Sequence, residues 1–237
     1  MKKLLFVAAA FACGSLLALE SANVVGYAQN GLQNGGTVLT PQFLAIGENT
    51  FIALQTLLPV GDDVDTDGNI QIQTLDAYGR VDKSYQWIDW GDPTGWCDED
   101  WNLVEGVEFT PGQGLWVLGT SEGASIQVSG QVGINDLAVQ LQNGGTVTGN
   151  PFPVSVNLQD ILLSGDDVDT DGNIQIQTLD AYGRVDKSYQ WIDWGDPTGW
   201  CDEDWNLVEG VEFTPGQGLW VLGTSEGANL TFPAPEL

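Results

Sequence analysis

The chain has 237 residues, 42% of them hydrophobic, with 33 acidic side chains against 6 basic ones and a net charge of −27. A polyanion of this kind is repelled by phosphate backbones and anionic lipid, which excludes nucleic-acid binding. It contains no histidine and no CxxC pair, so histidine-dependent triads and the usual zinc ligand sets are excluded too.

The first element is MKKLLFVAAAFACGSLLALESA, two lysines followed by an apolar run over Leu4–Leu19. It reads as a secretory signal peptide, residues 1–22, cut after Ala22. The run is too short and too near the start to be a comfortable membrane span. A second reading takes "AFAC" as a lipoprotein box, with Cys13 lipidated. Loss of Lys2, Lys3 and Glu20 with the leader takes the charge from −27 to −28 and leaves Arg80, Lys83, Arg184 and Lys187 as the basic residues. Such acidity suits solubility outside a cell, or cation binding.

Beyond the leader the chain is one module written twice. Residues 61–124 and 165–228 are identical, 104 positions apart. Their flanks keep a common outline, with LQNGGTV at both Leu32–Val38 and Leu141–Val147. The expected modules are residues 23–130 and 131–237, each the size of a small domain. "QNGG" is a hairpin-turn signal in both. "LQTLLP" and "LQDILL" are the only plausible helical turns.

"GDDVDTDGN" comes next, at Gly61–Asn69 and Gly165–Asn173. Asp63, Asp65, Asp67 and Gly68 match the start of an EF-hand loop. The twelfth position is Thr74 instead of glutamate, and the residues after Ile70 alternate like a strand, so it is not an EF-hand. Two readings stay open. One is a calcium loop closed by a carboxylate from elsewhere, with Asp63, Asp65 and Asp67 and their copies Asp167, Asp169 and Asp171 as ligands. The other is an Asx-rich turn.

"NIQIQTL" at Asn69–Leu75 alternates, with Ile70 and Ile72 on one face. "DAYGR" is a turn, and "SYQWIDW" at Ser84–Trp90 completes a predicted hairpin. Aromatic residues fall on both faces of this second strand. Tyr85 and Trp87 share one face and form the best candidate for an exposed platform on which a sugar ring could stack, with Tyr189 and Trp191 as copies. Core filling is the competing reading, since aromatics ordinarily fill a small sandwich core.

After the turn "GDPTG" comes "WCDEDW". Asp89, Asp92, Asp98, Glu99 and Asp100 could in principle supply a glycosidase pair, but nothing places one of them in an apolar pocket. A solvated acidic loop is the plainer reading. Cys97 and Cys201 are expected not to bridge within one chain, because equivalent points of a linear tandem lie too far apart. Val107–Thr110, "PGQG" and Leu115–Leu118 read as strand, tight turn and buried strand, with Trp116 in the core. No βαβ pattern occurs. The fold class expected is all-β, as two tandem antiparallel β-sandwich or barrel-like domains.

"SANVVGY" after the leader, "GNPF" at Gly149–Phe152 and "FTPGQGLWV" at Phe109–Val117 and Phe213–Val221 resemble an uncharacterised family of secreted β-rich repeat proteins of Verrucomicrobia and Lentisphaerae type. The first copy departs from that pattern, with "LTPQF" where the second has "TGNPF". The resemblance implies a secreted repeat protein without an established activity, and it carries over no site residue. Three functions are compatible with the sequence. The first is a non-catalytic secreted protein of the cell surface or envelope, structural or adhesive, with calcium holding its acidic loops. The second is a tandem carbohydrate-binding protein. The third is a small glycosidase. Polysaccharide or cell-surface components are the expected partners, without a membrane span.

Overall fold

The computed structural model describes residues 25–44, 51–61, 64, 67–119, 124–165, 168, 171–223 and 227–236. The predicted leader and Cys13 lie outside the described residues. The protein is all-β, built of small antiparallel sheets. Among the described residues the helical pieces are two single 3-10 turns, Leu54–Thr56 and Leu158–Asp160, at the two segments expected to form them.

Each repeat contributes one five-stranded sheet. The first has the order Gly35–Leu39, Leu115–Gly119, Asp67–Leu75, Val81–Asp89, Thr94–Cys97. The second is its copy, from Gly144–Gly149 to Thr198–Cys201. The predicted hairpin stands at its centre. Asp67–Leu75 buries Ile70 and Ile72 and leaves Gln71 and Gln73 half-buried, as a period of two requires. Its turn is closed by Asp76, whose carboxylate accepts the N–H groups of Tyr78 and Arg80, both at 2.9 Å, and pairs with the Arg80 guanidinium at 2.8 Å.

The "QNGG" segment differs from the expected hairpin turn. Val25–Gly31 before it pairs with Ser125–Val132, whereas Gly35–Leu39 after it pairs with Leu115–Gly119. The chain therefore changes sheets at this point. The Thr37 hydroxyl accepts the Gln33 N–H at 2.8 Å and fixes the corner, as Thr146 does for Gln142.

Buried apolar side chains form two clusters among the described residues, one from each repeat. Trp96 and Trp200 are among the buried members. Their indole N–H groups donate to the carbonyls of Leu57 at 2.7 Å and Ile161 at 2.9 Å, so neither buries an unmade hydrogen bond.

The repeats do not form a linear array. They meet reciprocally, in the manner of an isologous interface. A Cβ built on Gly35 would lie 2.7 Å from the carbonyl oxygen of Ala181, and one on Gly144 would lie 2.8 Å from that of Ala77. The "PGQG" turns are the other half of this junction. The Gly114 N–H donates to Val147 O at 2.9 Å, the Thr148 hydroxyl to Gly112 O at 2.7 Å, and the Thr40 N–H to Gly216 O at 2.9 Å. A Cβ on Gly114 would stand 2.8 Å from the backbone nitrogen of Thr148. Gly114 and its counterpart Gly218 therefore serve close approach between the two halves, whereas Gly112 and Gly216, at φ 78° and 73°, supply the left-handed backbone of the turn itself.

Trp116 and Trp220 belong to the same junction and not to the cores. In Leu115–Gly119 the buried residues are Leu115, Val117 and Gly119, and Trp116 points to the other face. Its indole lies over Gly36 of its own repeat and reaches the Gly183 turn of the other. Trp220 does the same with Gly145 and Gly79.

Candidate functional site

The strand Val81–Asp89 brings Tyr85 inward, at 8% exposure, edge-to-face against Phe109 with ring centroids 6.4 Å apart. Tyr189 is equally buried at 7%. Trp87 is half-buried and packs edge-to-face on Trp96 at 5.4 Å, as Trp191 does on Trp200 at 5.3 Å. The face offered as a sugar platform is therefore the core face. Aromatics occupy both faces of this strand, and the sequence does not say which one the second layer covers.

An exposed pair of tryptophans lies one turn further on. Trp90 is 50% exposed and Trp101 44%, and their rings stack at 5.8 Å with 22° between planes. Trp194 and Trp205 repeat this at 52% and 41%, with a spacing of 5.6 Å and 24°. Leu103 and Leu207, also exposed, follow each pair. Contiguous exposed apolar groups of this kind mark interaction surfaces more often than scattered single residues do.

Trp101 has φ 65° and Trp205 φ 64°, in the left-handed region. That conformation costs a side-chain-bearing residue about 1–2 kcal/mol. It persists only where neighbours over-determine it. Here Asp98 does so. Its backbone exchanges hydrogen bonds with Asn102 and Trp101, and its carboxylate accepts the N–H groups of Asp100 at 3.0 Å and Asn102 at 2.9 Å. The acidic loop is thus a mount that holds one indole against the other. The spacing "DEDWN" carries the Asx signal for the loop, but nothing local marks the tryptophan as left-handed.

Asp98 titrates below its usual value of 3.8, chiefly because the Asn102 N–H stabilises the carboxylate, against a smaller opposing effect of desolvation. Asp202 is lowered for the same reason by Asn206. A glycosidase needs a general acid shifted the other way. Asp89 spends its carboxylate on the Thr94 hydroxyl at 2.7 Å.

Cys97 and Cys201 are free and buried. Burial, with a smaller contribution from the neighbouring Asp98 and Asp202 carboxylates, raises both thiols above 9.0, which keeps them protonated and unreactive. Their separation does not rest on the linear arrangement expected from sequence. Each ends an equivalent strand of its own repeat, Thr94–Cys97 and Thr198–Cys201, with its side chain fully buried.

Of the aspartates expected to hold calcium, Asp63, Asp65, Asp167 and Asp169 lie outside the described residues. Asp67 and Asp171 open the strands Asp67–Leu75 and Asp171–Leu179. Among the described residues no group of three or more metal-ligating side chains occurs, and no helix is long and apolar enough to cross a membrane.

Comparison with known proteins finds no matching family model, no matching curated protein and no matching solved structure.

Proposed function

We propose that this is a secreted or surface-located, non-catalytic protein that adheres to neutral polysaccharide through two tryptophan platforms, Trp90 with Trp101 and Trp194 with Trp205. The observation that carries this is the pairing itself: two exposed indoles stacked in the same geometry in both repeats, one of each pair held in a strained backbone. An indole presents a flat apolar face that suits the C–H face of a pyranose, and the surrounding Asp, Glu and Thr side chains can reach hydroxyls. Each repeat would be a sandwich-like domain around its own core.

The test is Trp101→Gly with Trp205→Gly. Glycine relieves the left-handed strain but loses the ring pair, worth about 0.5–1.5 kcal/mol, and some burial. These effects oppose, so the net loss of stability should be no more than about 2 kcal/mol. Polysaccharide pulldown should be abolished. A variant that melts like the wild type and still binds would remove the platforms from the function.

Weak calcium binding at the two aspartate loops belongs to the same proposal, on sequence grounds. Without a bidentate twelfth ligand the affinity should resemble extracellular modules, about 10⁻⁴–10⁻³ M. At millimolar calcium that stabilises the fold by a few tenths to about 1.5 kcal/mol per site. A melt at matched ionic strength should show a rise with calcium beyond that with magnesium, lost in Asp65→Asn with Asp169→Asn. Equal midpoints in the two ions would reduce the loops to acidic turns.

A further inference from the structure

Where the repeats meet, they form an open cleft of about 400 Å³. Its walls are Gln73, Leu75, Gly79, Val81 and Trp116, together with the copy of each residue 104 positions on. Each half of the chain thus supplies half of the lining, and neither half has the cleft alone. Trp116 is the cross-strand neighbour of Gln73, and Trp220 of Gln177. Side chains so paired lie about 4.5–5.5 Å apart at their Cβ atoms. An indole and a primary amide therefore stand side by side on each wall.

We propose that this cleft is a third, composite binding site and that it takes one neutral sugar unit or a disaccharide. It rests on the glycan reading for its ligand class, but on none of the platform residues. Its volume lies at the small end of the usual range for ligand pockets, about 300–1,000 Å³. No lining residue is charged, in a chain with 33 acidic side chains. A cation would find stronger sites on the surface, and an anion would be repelled before arriving.

The amides decide between a sugar and a plain hydrocarbon. Gln177 is buried and donates to Gln175 Oε1 at 3.4 Å, and Gln73 donates to Ser84 Oγ at 3.5 Å. Both contacts are at the long limit of hydrogen bonding. A primary amide has two donor hydrogens and an acceptor oxygen, so both keep capacity for a ligand hydroxyl. A hydrocarbon filling the cleft would shield these amides from water and satisfy neither. A pyranose has an apolar face for the indoles and hydroxyls for the amides.

The experiment uses the full chain with ¹⁵N-labelled tryptophan, titrated with maltose, cellobiose, lactose and chitobiose. Among the 10 tryptophans, the indole N–H signals of Trp116 and Trp220, assigned through Trp116→Phe and Trp220→Phe, should shift together in the millimolar range with at least one of these sugars. Val81→Phe with Val185→Phe places a ring on each exposed rim of the cleft and should weaken that response at least about tenfold. In a chain with Trp90, Trp101, Trp194 and Trp205 all changed to alanine, polysaccharide pulldown should be lost while the Trp116 and Trp220 shifts persist. Loss of the platform function with retention of the cleft response separates the two sites. Shifts at the platform tryptophans only would overturn the cleft and leave the platforms standing. A response of Trp116 and Trp220 to free indole but to none of the sugars would overturn the sugar assignment.

Discussion

Removing one tryptophan platform from the intact chain is expected to weaken binding to a repeating glycan by about 10²–10⁴-fold, and removing both to abolish it. The gain of two sites over one comes from effective concentration. Once one platform holds the polymer, the second meets the next stretch of the same chain without a fresh diffusive encounter. The repeats are fixed against one another by hydrogen bonds at both "PGQG" turns, from the Gly114 N–H to Val147 O, the Thr40 N–H to Gly216 O and the Thr148 hydroxyl to Gly112 O, so their separation is set by structure and not by a linker. Two variants test this, Trp90→Ala with Trp101→Ala, and Trp194→Ala with Trp205→Ala. On a long polymer each should bind far more weakly than the wild type. On an oligosaccharide too short to span both platforms, each should keep the intrinsic affinity of the remaining platform and lose half of the platform sites, with the Trp116 and Trp220 response unchanged. A single-platform variant that binds the polymer as tightly as the wild type would show that the platforms do not act on one strand.

The strands were legible where the cause is local. Ile70 and Ile72 alternate with Gln71 and Gln73, and the structure buries the first pair. Asp76 signals the turn before Arg80, and its carboxylate closes it. The corner at "QNGG" was not legible in the same way. A turn motif says that the chain reverses, but which sheet receives the next strand depends on partners far along the chain. Gly35–Leu39 pairs with residues near 117, and Val25–Gly31 with residues near 128.

The glycines of "PGQG" make the same point more sharply. The need at Gly114 comes from the backbone of Thr148, and at its counterpart Gly218 from the backbone of Val38. Neither neighbour lies in the glycine's own repeat. The place of Trp116, by contrast, was present in the sequence. Leu115 and Val117 alternate with it, so a buried Leu and Val put the indole on the opposite face. The run of four apolar residues hid that, because a strand covered on both sides reads as continuous. The platform lay further out of reach. Trp90 sits past the end of its strand and Trp101 in a left-handed loop, where period-two reasoning does not apply.

The ten tryptophans should accordingly separate into classes by stability, and Trp200 marks the extreme. It is fully buried, and its N–H serves the carbonyl of Ile161. Trp200→Ala is expected to cost about 3–5 kcal/mol through the lost transfer free energy and the cavity left behind. The orphaned carbonyl pushes the value toward the upper end. For a chain of this length 1 kcal/mol moves the melting temperature by about 2–4 °C, so the midpoint should fall by about 6–20 °C. Trp200→Phe keeps most of the volume but loses the donor, and should fall between. Trp194→Ala removes an indole that is 52% exposed. It forfeits the stacking contact with Trp205, about 0.5–1.5 kcal/mol, and opens no closed cavity. Denaturant melts of the three variants should therefore rank Trp200→Ala lowest and Trp194→Ala closest to the wild type. Equal losses at the two positions would mean that the Trp194–Trp205 pair is packing, and the platform would lose its claim to be kept for binding.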